Sequence, residues 1–502
     1  MNGKLNGNLS GSGKILAQKY CGSCHQYPSP DELPTGIWHQ FILPHMGHRL
    51  GIYSNGEAPD SIFKEGLSRA EAVSKDIYPA QARISKEDWQ KLENFYLDNS
   101  IDSVRAKTNY TTKVVINNLV HFNPKTARHL RRPPLTTMLQ IIPEKRSLLL
   151  ADGKKNVNAL ISFNENMDLN YQLYLKKSPI FLHFAGDRQL LLTIGEHIYP
   201  TDYQRGELEL IYREGVTEKP NRSTLLIDSL RRPVHFSILD FNQDGQDDFS
   251  ICEFGNRLGS LTLYENQGNS YMSSVLIDRP GAIKTEIRDV NGDGWSDILV
   301  LMAQGDEGIF LLYNQMGSFN QQETLLSFSA LAGSTYFESV DWDGDEDLDL
   351  LYTCGDNADL SIIVKEYHGI YLFKNLGSNQ FVQHHFFPMP GAYKAVARDF
   401  DQDGDLDISA ISFFPDYRSN EPLHYVYLEQ ESPDRFSAQS FAGASSGRWM
   451  VMDAGDLDED GDIDIALGSY VGFYPDGDKT GLYKHWLEEG PAAIILENQI
   501  KN

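Results

Sequence analysis

One nine-residue pattern, present five times, constrains this chain more than any other feature. Asp399-Phe-Asp-Gln-Asp-Gly-Asp-Leu-Asp407 sets side-chain oxygens at alternate positions, and Gly404 permits the turn that folds a short loop back on itself. The pattern returns in the nine-residue stretches that begin at Asp240, Asp289, Asp341 and Asp456. Hard oxygen donors at positions 1, 3, 5 and 9, with a backbone carbonyl at 7, suit Ca²⁺. The expected ligand positions are Asp240, Asn242, Asp244, Gln246 and Asp248; Asp289, Asn291, Asp293, Trp295 and Asp297; and Asp341, Asp343, Asp345, Asp347 and Asp349. In the last two loops they are Asp399, Asp401, Asp403, Asp405 and Asp407, then Asp456, Asp458, Asp460, Asp462 and Asp464. These are not helix-flanked loops with a bidentate Glu at position 12, because that position holds Ile251, Val300, Tyr352, Ala410 and Leu467. The flanks, such as Val234-His-Phe-Ser-Ile-Leu239, are β-branched and aromatic, so each loop joins two strands.

The loops recur every fifty to sixty residues or so, and a third and a fourth strand follow each. Leu263-Tyr-Glu-Asn-Gln-Gly268 and Tyr271-Met-Ser-Ser-Val-Leu-Ile277 show the pair. Four antiparallel strands at this period make a β-propeller blade. Met138–Leu150 and Ile180–Leu192 read as two further blades without the acidic loop, which gives seven. Asn109–Ile116 reads as an orphan outer strand that would pair with the C-terminal strands and close the ring.

The first hundred residues follow another pattern. Residues 1–13 are Gly-, Asn- and Ser-rich, read as a flexible lead, and show no apolar core of a secretory signal. A helical period starts at Gly13 and runs into Cys21-Gly-Ser-Cys-His25. Two thiols three residues apart, followed by an imidazole, form a c-type haem attachment motif. A structural zinc site would need a second Cys pair, and the other cysteines, Cys252 and Cys354, read as buried thiols in separate blades. Met46 is the expected sixth iron ligand, in a rigid, non-helical loop made by Pro44 and Gly47. His39, His45 and His48 are the alternatives. Ile84–Leu97 reads as an amphipathic helix capped by Ser85, with Trp89, Leu92, Phe95 and Tyr96 inward. The pattern turns to period two after Ser100. The expected domains are therefore a small all-α haem domain over 14–104 and an all-β seven-bladed propeller over 105–502.

With these motifs in place, residues from about 105 onward resemble the FG-GAP/VCBS-repeat propellers of the kind found in integrin α subunits. The Ile84–Leu97 helix resembles the C-terminal helix of class I cytochromes c, although the Met of that family lies nearer this helix than Met46 does. The whole chain is similar to cytochrome-fused VCBS-repeat proteins of Bacteroidota-type bacteria. That resemblance implies export to the periplasm or cell surface, with a lipid anchor left open.

Net charge is −26 over 502 residues, counting His as neutral, which argues against a nucleic-acid partner. Five bound Ca²⁺ would offset part of it. On the propeller face opposite the acidic loops, Glu253, Asp306, Glu307, Asp356, Asn357, Lys365, His368 and Asp416 are expected to ring a funnel suited to a glycan or peptide. No nucleophile triad, phosphate loop or dinucleotide fingerprint is present. The functional expectation is electron transfer by one covalent haem c, with the propeller docking a redox partner protein or an outer-membrane complex. Two alternatives stand beside it: a sugar or alcohol oxidoreductase that passes electrons to the haem, and a glycan- or protein-binding module with an accessory haem. Whether the chain is an enzyme stays open.

Overall fold

The computed structural model describes residues 6–53, 57, 59, 66–101, 114–116, 119, 121–126, 131–185, 188–212, 219–356, 364–419, 421–475 and 477–500. Seven antiparallel sheets follow one another along the chain, and the first strand of each touches the first strand of the next all the way round. Those seven inner strands are Thr136–Ile142, Pro179–Ala185, Pro233–Leu239, Ala282–Arg288, Ser334–Val340, Ala392–Arg398 and Trp449–Gly455, taken as blades 1 to 7. The molecule is a seven-bladed β-propeller. Met138–Leu150 and Ile180–Leu192 are indeed the inner hairpins of blades 1 and 2.

Second strands are sandwiched between neighbouring blades, so apolar residues occupy both faces. Asp297–Met302 is buried at every position. Fourth strands face water and read as alternating or polar, as in Tyr271–Ile277. Adjacent blades share apolar clusters: Leu239, Cys252 and Leu261 of blade 3 meet Ile298, Val300 and Phe310 of blade 4. Cys252 and Cys354 are buried free thiols, in line with the sequence. Burial pushes the Cys354 thiol up to about 12.

The ring closes differently from expectation. Phe122–Thr126, not Asn109–Ile116, supplies the fourth strand of blade 7, antiparallel to Ala493–Asn498. Val115–Ile116 adds a short parallel fifth strand outside blade 6, on Arg435–Ser440. Residues 109–113 lie outside the described residues. An outermost strand tolerates Pro124, whose missing N–H needs no ladder partner there.

Two expectations for the N-terminal segment are corrected. The first helix spans Asn6–Tyr20, so the chain is already helical well before Gly13. Met46 sits in a helix, Leu43–Arg49, rather than in a loop. Pro44 falls in the first turn, where a helix has no use for its missing N–H. The Lys86–Asn99 helix starts as expected: Ser85 Oγ accepts the Asp88 N–H at 3.1 Å, and Trp89, Leu92, Phe95 and Tyr96 are buried. It crosses the first helix at Gly13, where a Cβ would meet Phe95 Cβ at 2.5 Å. Ala17, Cys21, Trp38, Leu92, Phe95 and Tyr96 form one apolar cluster, which Met46 and the propeller's Leu331 also touch.

The helical segment rests on the connection face of the propeller, away from the acidic loops. Ala72 packs on Leu258 of blade 3. Lys75 pairs with Asp278 at 2.5 Å, and Ser329 Oγ donates to Glu32 Oε2 at 2.6 Å. The segment thus covers part of the rim where the sequence placed an open funnel.

Candidate functional site

Each acidic loop joins the first and second strands of blades 3 to 7, as its flanks require. Loop positions 4 and 6 both take positive φ, for example Gln402 at 61° and Gly404 at 101°. Position 6 of the third loop is Glu346, held at 72° without the freedom of glycine. The position-1 carboxylate gathers the loop's own amides: Asp240 accepts from Asp244 N at 3.0 Å and Gly245 N at 2.9 Å. Position 5 then accepts the amide of position 7, as Asp244 Oδ1 does from Gln246 N at 2.9 Å and Asp403 Oδ1 from Asp405 N at 3.1 Å.

Three loops bring their position 1, 3 and 5 carboxylates within 4.8 Å of one another: Asp341, Asp343 and Asp345; Asp399, Asp401 and Asp403; Asp456, Asp458 and Asp460. Asp399 Oδ1, Asp458 Oδ1 and Asp460 Oδ2 are buried there without a hydrogen-bond donor among the described residues. Like-charged oxygens converging with lone pairs unsatisfied could hold a hard cation. In the loops at Asp240 and Asp289, position 3 is Asn, whose amide donates to the position-5 carboxylate at 3.2 and 3.0 Å.

Position 9 does something the sequence did not reveal. Asp464 opens the second strand, and its Oδ2 accepts the Leu457 N–H of loop position 2 at 2.9 Å. Its Oδ1 accepts the N–H of Asn498, at the end of the third strand, at 2.8 Å. Asp297 with Asn314 and Asp349 with Asn375 repeat this latch, each at 2.8 Å. The Asn side chain then reaches the preceding blade: Asn498 Nδ2 donates to Phe400 O at 2.7 Å, and Asn314 Nδ2 to Phe241 O at 2.9 Å. The recurring Asn before the turn glycine, in Asn314-Gln-Met-Gly317 and Asn375-Leu-Gly377, was the available signal.

In the Cys21-Gly-Ser-Cys-His25 stretch, Cys21 is buried, Cys24 exposed and His25 half-buried. Burial pushes the Cys21 thiol up to about 11. His25 Nδ1 lies 2.8 Å from the Gln26 carbonyl, which can only accept, so the ring proton sits on Nδ1 and the Nε2 lone pair is left for a metal. Met46 lines the same apolar cluster as Cys21. Among the alternatives, His48 is engaged by Glu57 at 3.1 Å.

The expected funnel residues divide among local tasks. Glu253 is buried and accepts Arg231 N at 2.6 Å and the Tyr264 hydroxyl at 3.1 Å. Asp306 pairs with Arg279 at 3.1 Å, and Asp416 accepts the Arg418 N–H in a surface turn. Asn357 lies outside the described residues. Glu307, Lys365 and His368 are buried together near the blade 4–5 connection. Glu307 accepts Ser334 N at 2.8 Å, and Lys365 Nζ and the Tyr367 hydroxyl both donate to Leu331 O at 2.8 Å. Burial raises the Glu307 pKa and lowers that of Lys365, while Glu307 and then Asp356 pull Lys365 back up.

Comparison with known proteins places an FG-GAP-like repeat over residues 289–352, which spans the second acidic loop and the third. No curated protein matches the chain. Among solved structures it is similar to a chain from a complex of S. cerevisiae Dbp5 with Nup159 and Gle1, at 11% identity over 77% of this chain and 97% of that one, with a TM-score of 0.41. It is also similar to the Dos1 propeller, at 9% identity over 72% and 77% and a TM-score of 0.39. A luciferin-regenerating enzyme gives 8% identity over 75% and 95% and a TM-score of 0.36. Likenesses this remote carry no functional argument; the chain contains an FG-GAP-like repeat within a seven-bladed β-propeller.

Proposed function

We propose that this chain is an exported c-type cytochrome in which a calcium-stabilised propeller presents one covalently held haem to a partner protein for electron transfer. The observation that carries the reading is His25: its Nδ1 is committed to the Gln26 carbonyl, directly after a pair of cysteines at haem-attachment spacing. Cys21 and Cys24 would hold the group through two thioether bonds, and His25 Nε2 and Met46 Sδ would be the donors to its iron. The haem would supply a one-electron centre, and a thioether donor would raise its potential. The apolar cluster around Trp38, Phe95 and Tyr96 would exclude water from it. Bound Ca²⁺ would neutralise the converging carboxylates of the acidic loops.

Maturation in a periplasm that attaches haem tests this. Haem should stay with the protein through acid–acetone extraction and be lost in Cys21→Ala with Cys24→Ala. Fully extractable haem overturns the reading. Met46→Ala should remove the red charge-transfer band of a thioether-ligated ferric haem.

One observation favours the alternative of an oxidoreductase that reduces its own haem. Glu32, close in sequence to His25, meets Ser329 on the same rim that holds Glu307, Lys365 and His368. A sugar or alcohol bound there would lie beside the haem segment. Substrate-dependent haem reduction that Asp356→Asn abolishes, with the haem spectrum unchanged, would select this reading over electron transfer alone.

A further inference from the structure

The innermost strands carry charge that neither the acidic loops nor the helical segment uses. Lys284 and Glu286 come from blade 4, Tyr336 and Glu338 from blade 5, Lys394 and Arg398 from blade 6. Two ion pairs account for most of it: Lys284 Nζ is 2.7 Å from Glu286 Oε1, and Arg398 Nη1 is 2.7 Å from Glu338 Oε1. Both acids are fixed further by the next blade, through Ser339 N at 3.2 Å and Ala397 N at 3.1 Å.

Lys394 is left over. No carboxylate among the described residues pairs with its ammonium. Asp453 of blade 7 feels its charge, but Asp453 Oδ2 is committed to Ile141 N at 2.8 Å. The Lys394 ammonium rests 4.9 Å from the centroid of the Tyr336 ring, and the Lys284 ammonium lies 4.1 Å from the same centroid. Lys284 Nζ also donates to Phe337 O at 2.7 Å, which leaves it one further N–H to offer. His235 of blade 3 adds a neutral donor. The Thr285 N–H donates to its Nδ1 at 3.3 Å, so the ring proton is on Nε2. Burial, helped by Lys284 and Lys394, holds this imidazole uncharged, with its pKa down to about 3. The side chains of Lys284 and Glu286 keep 14% and 13% of their surface exposed although they stand on innermost strands, so solvent reaches the axis at this level.

We propose that Lys394, Lys284 and His235 Nε2 bind a small oxyanion, a carboxylate or sulfate, on the propeller axis. The ammoniums supply charge and the imidazole N–H supplies direction. The Tyr336 ring holds both lysines in place through cation–π contact. In a chain of net charge −26, an anion would gain little from the general field, so the local donor set has to provide the affinity. The proposal is independent of the haem reading.

Isothermal titration of the calcium-loaded full chain with sulfate tests it, with ionic strength held constant by chloride. One site is expected. Loss of a charged hydrogen bond in Lys394→Met should weaken it by about tenfold or more. Lys86→Met, on the exposed start of a helix, should leave the isotherm unchanged. Absence of a saturable site in the native protein, or binding unaltered in Lys394→Met, overturns the proposal. A second measurement needs no variant. Crystals of the native chain grown in bromide should give an anomalous peak between Lys394 and Lys284, and peaks confined to the outer surface overturn it.

Discussion

Glu71 and Arg231 meet at two points, with Nη1 3.1 Å from Oε1 and Nη2 2.6 Å from Oε2, and so tie the helical segment to the connection between blades 2 and 3. Arg231 is itself built in: its Nε donates to Asp202 O at 3.1 Å and its backbone N to Glu253 Oε2. Asp202 Oδ1 in turn accepts three amides, Asn256, Arg257 and Leu258, within 3.0 Å. The loop that receives the helix is therefore held in shape before the helix docks.

Replacing Glu71 by Gln should therefore loosen the helical segment without unfolding the blades. The expected loss is about 1–3 kcal/mol, because Arg231 keeps its charge in a nearly buried place. Urea unfolding followed through Trp38 and Trp89 fluorescence checks it. The acid limb gives a second readout. The Arg231 hydrogen bonds hold the Glu71 pKa below the ordinary carboxylate range. A lowered carboxylate stabilises above its unfolded value and loses that stabilisation as pH falls through the folded one. The gap between native protein and Glu71→Gln should thus narrow below about pH 4. A gap constant down to pH 3 or so would show that charge is not what holds the segment.

Calcium binding should fall into two classes. The loops at Asp341, Asp399 and Asp456 converge three carboxylates each, whereas those at Asp240 and Asp289 have Asn at position 3. Affinity rises with the number of charged ligands. A calcium titration is expected to resolve three tighter and two weaker sites. Chelation should lower the propeller's melting temperature, since a ligand at a hundredfold excess over its Kd adds about 2.7 kcal/mol per site. An unchanged melt in EDTA would remove calcium from the account of stability.

Much of this architecture was legible because a strand declares itself by period two and an acidic loop by its spacing. Met138–Leu150 and Ile180–Leu192 were recognisable as blades with no acidic loop at all, from their paired apolar runs. Closure was not legible, because Asn109–Ile116 and Phe122–Thr126 both suit an outer strand and only three-dimensional reach selects between them. The funnel was only partly legible for a related reason. Loop position places Glu253 and Glu307 on the correct face, but says nothing about the neighbouring amides that take up both carboxylates. Nor could sequence show that the helical segment would cover part of that face.

Glu346 offers a stabilising substitution. It occupies the one position-6 site without glycine, at a φ of 72°. A side chain in the left-handed region costs about 1–2 kcal/mol, and part of that is returned because glycine gains freedom when unfolded. Glu346→Gly should therefore raise stability by up to about 1 kcal/mol. It should leave the calcium affinity of that loop within a few-fold, because Glu346 contributes only its backbone N–H, to Asp341 Oδ2 at 3.2 Å. A destabilised variant would mean that the Glu346 side chain makes a contact worth more than the strain.

The last prediction concerns two histidines that the fold keeps uncharged. His368 and His424 are each about 1% exposed; neither ring nitrogen of His424 has a hydrogen-bond partner among the described residues, and His368 meets only the Ala332 backbone there. His424 stands edge-on to Trp486, with ring centroids 5.8 Å apart, and burial followed by the charge of Arg448 brings its pKa down to about 3. Burial, followed by the charge of Lys365, takes His368 well below its ordinary value. The unfolded chain binds a proton at each imidazole near pH 6.5, and the folded chain refuses it. Stability is therefore fully present above that pH and falls as pH drops, by about 1.4 kcal/mol per pH unit for each histidine. This window lies above the one in which Glu71 titrates, so the two effects separate. Replacing His424 by Phe keeps an aromatic edge against Trp486 and removes the titrating group. Urea melts of calcium-loaded protein between pH 7.5 and 5.5 or so should then lose about one histidine's share of the slope. An identical slope in His424→Phe would mean that water reaches this imidazole and lets it protonate in the folded state.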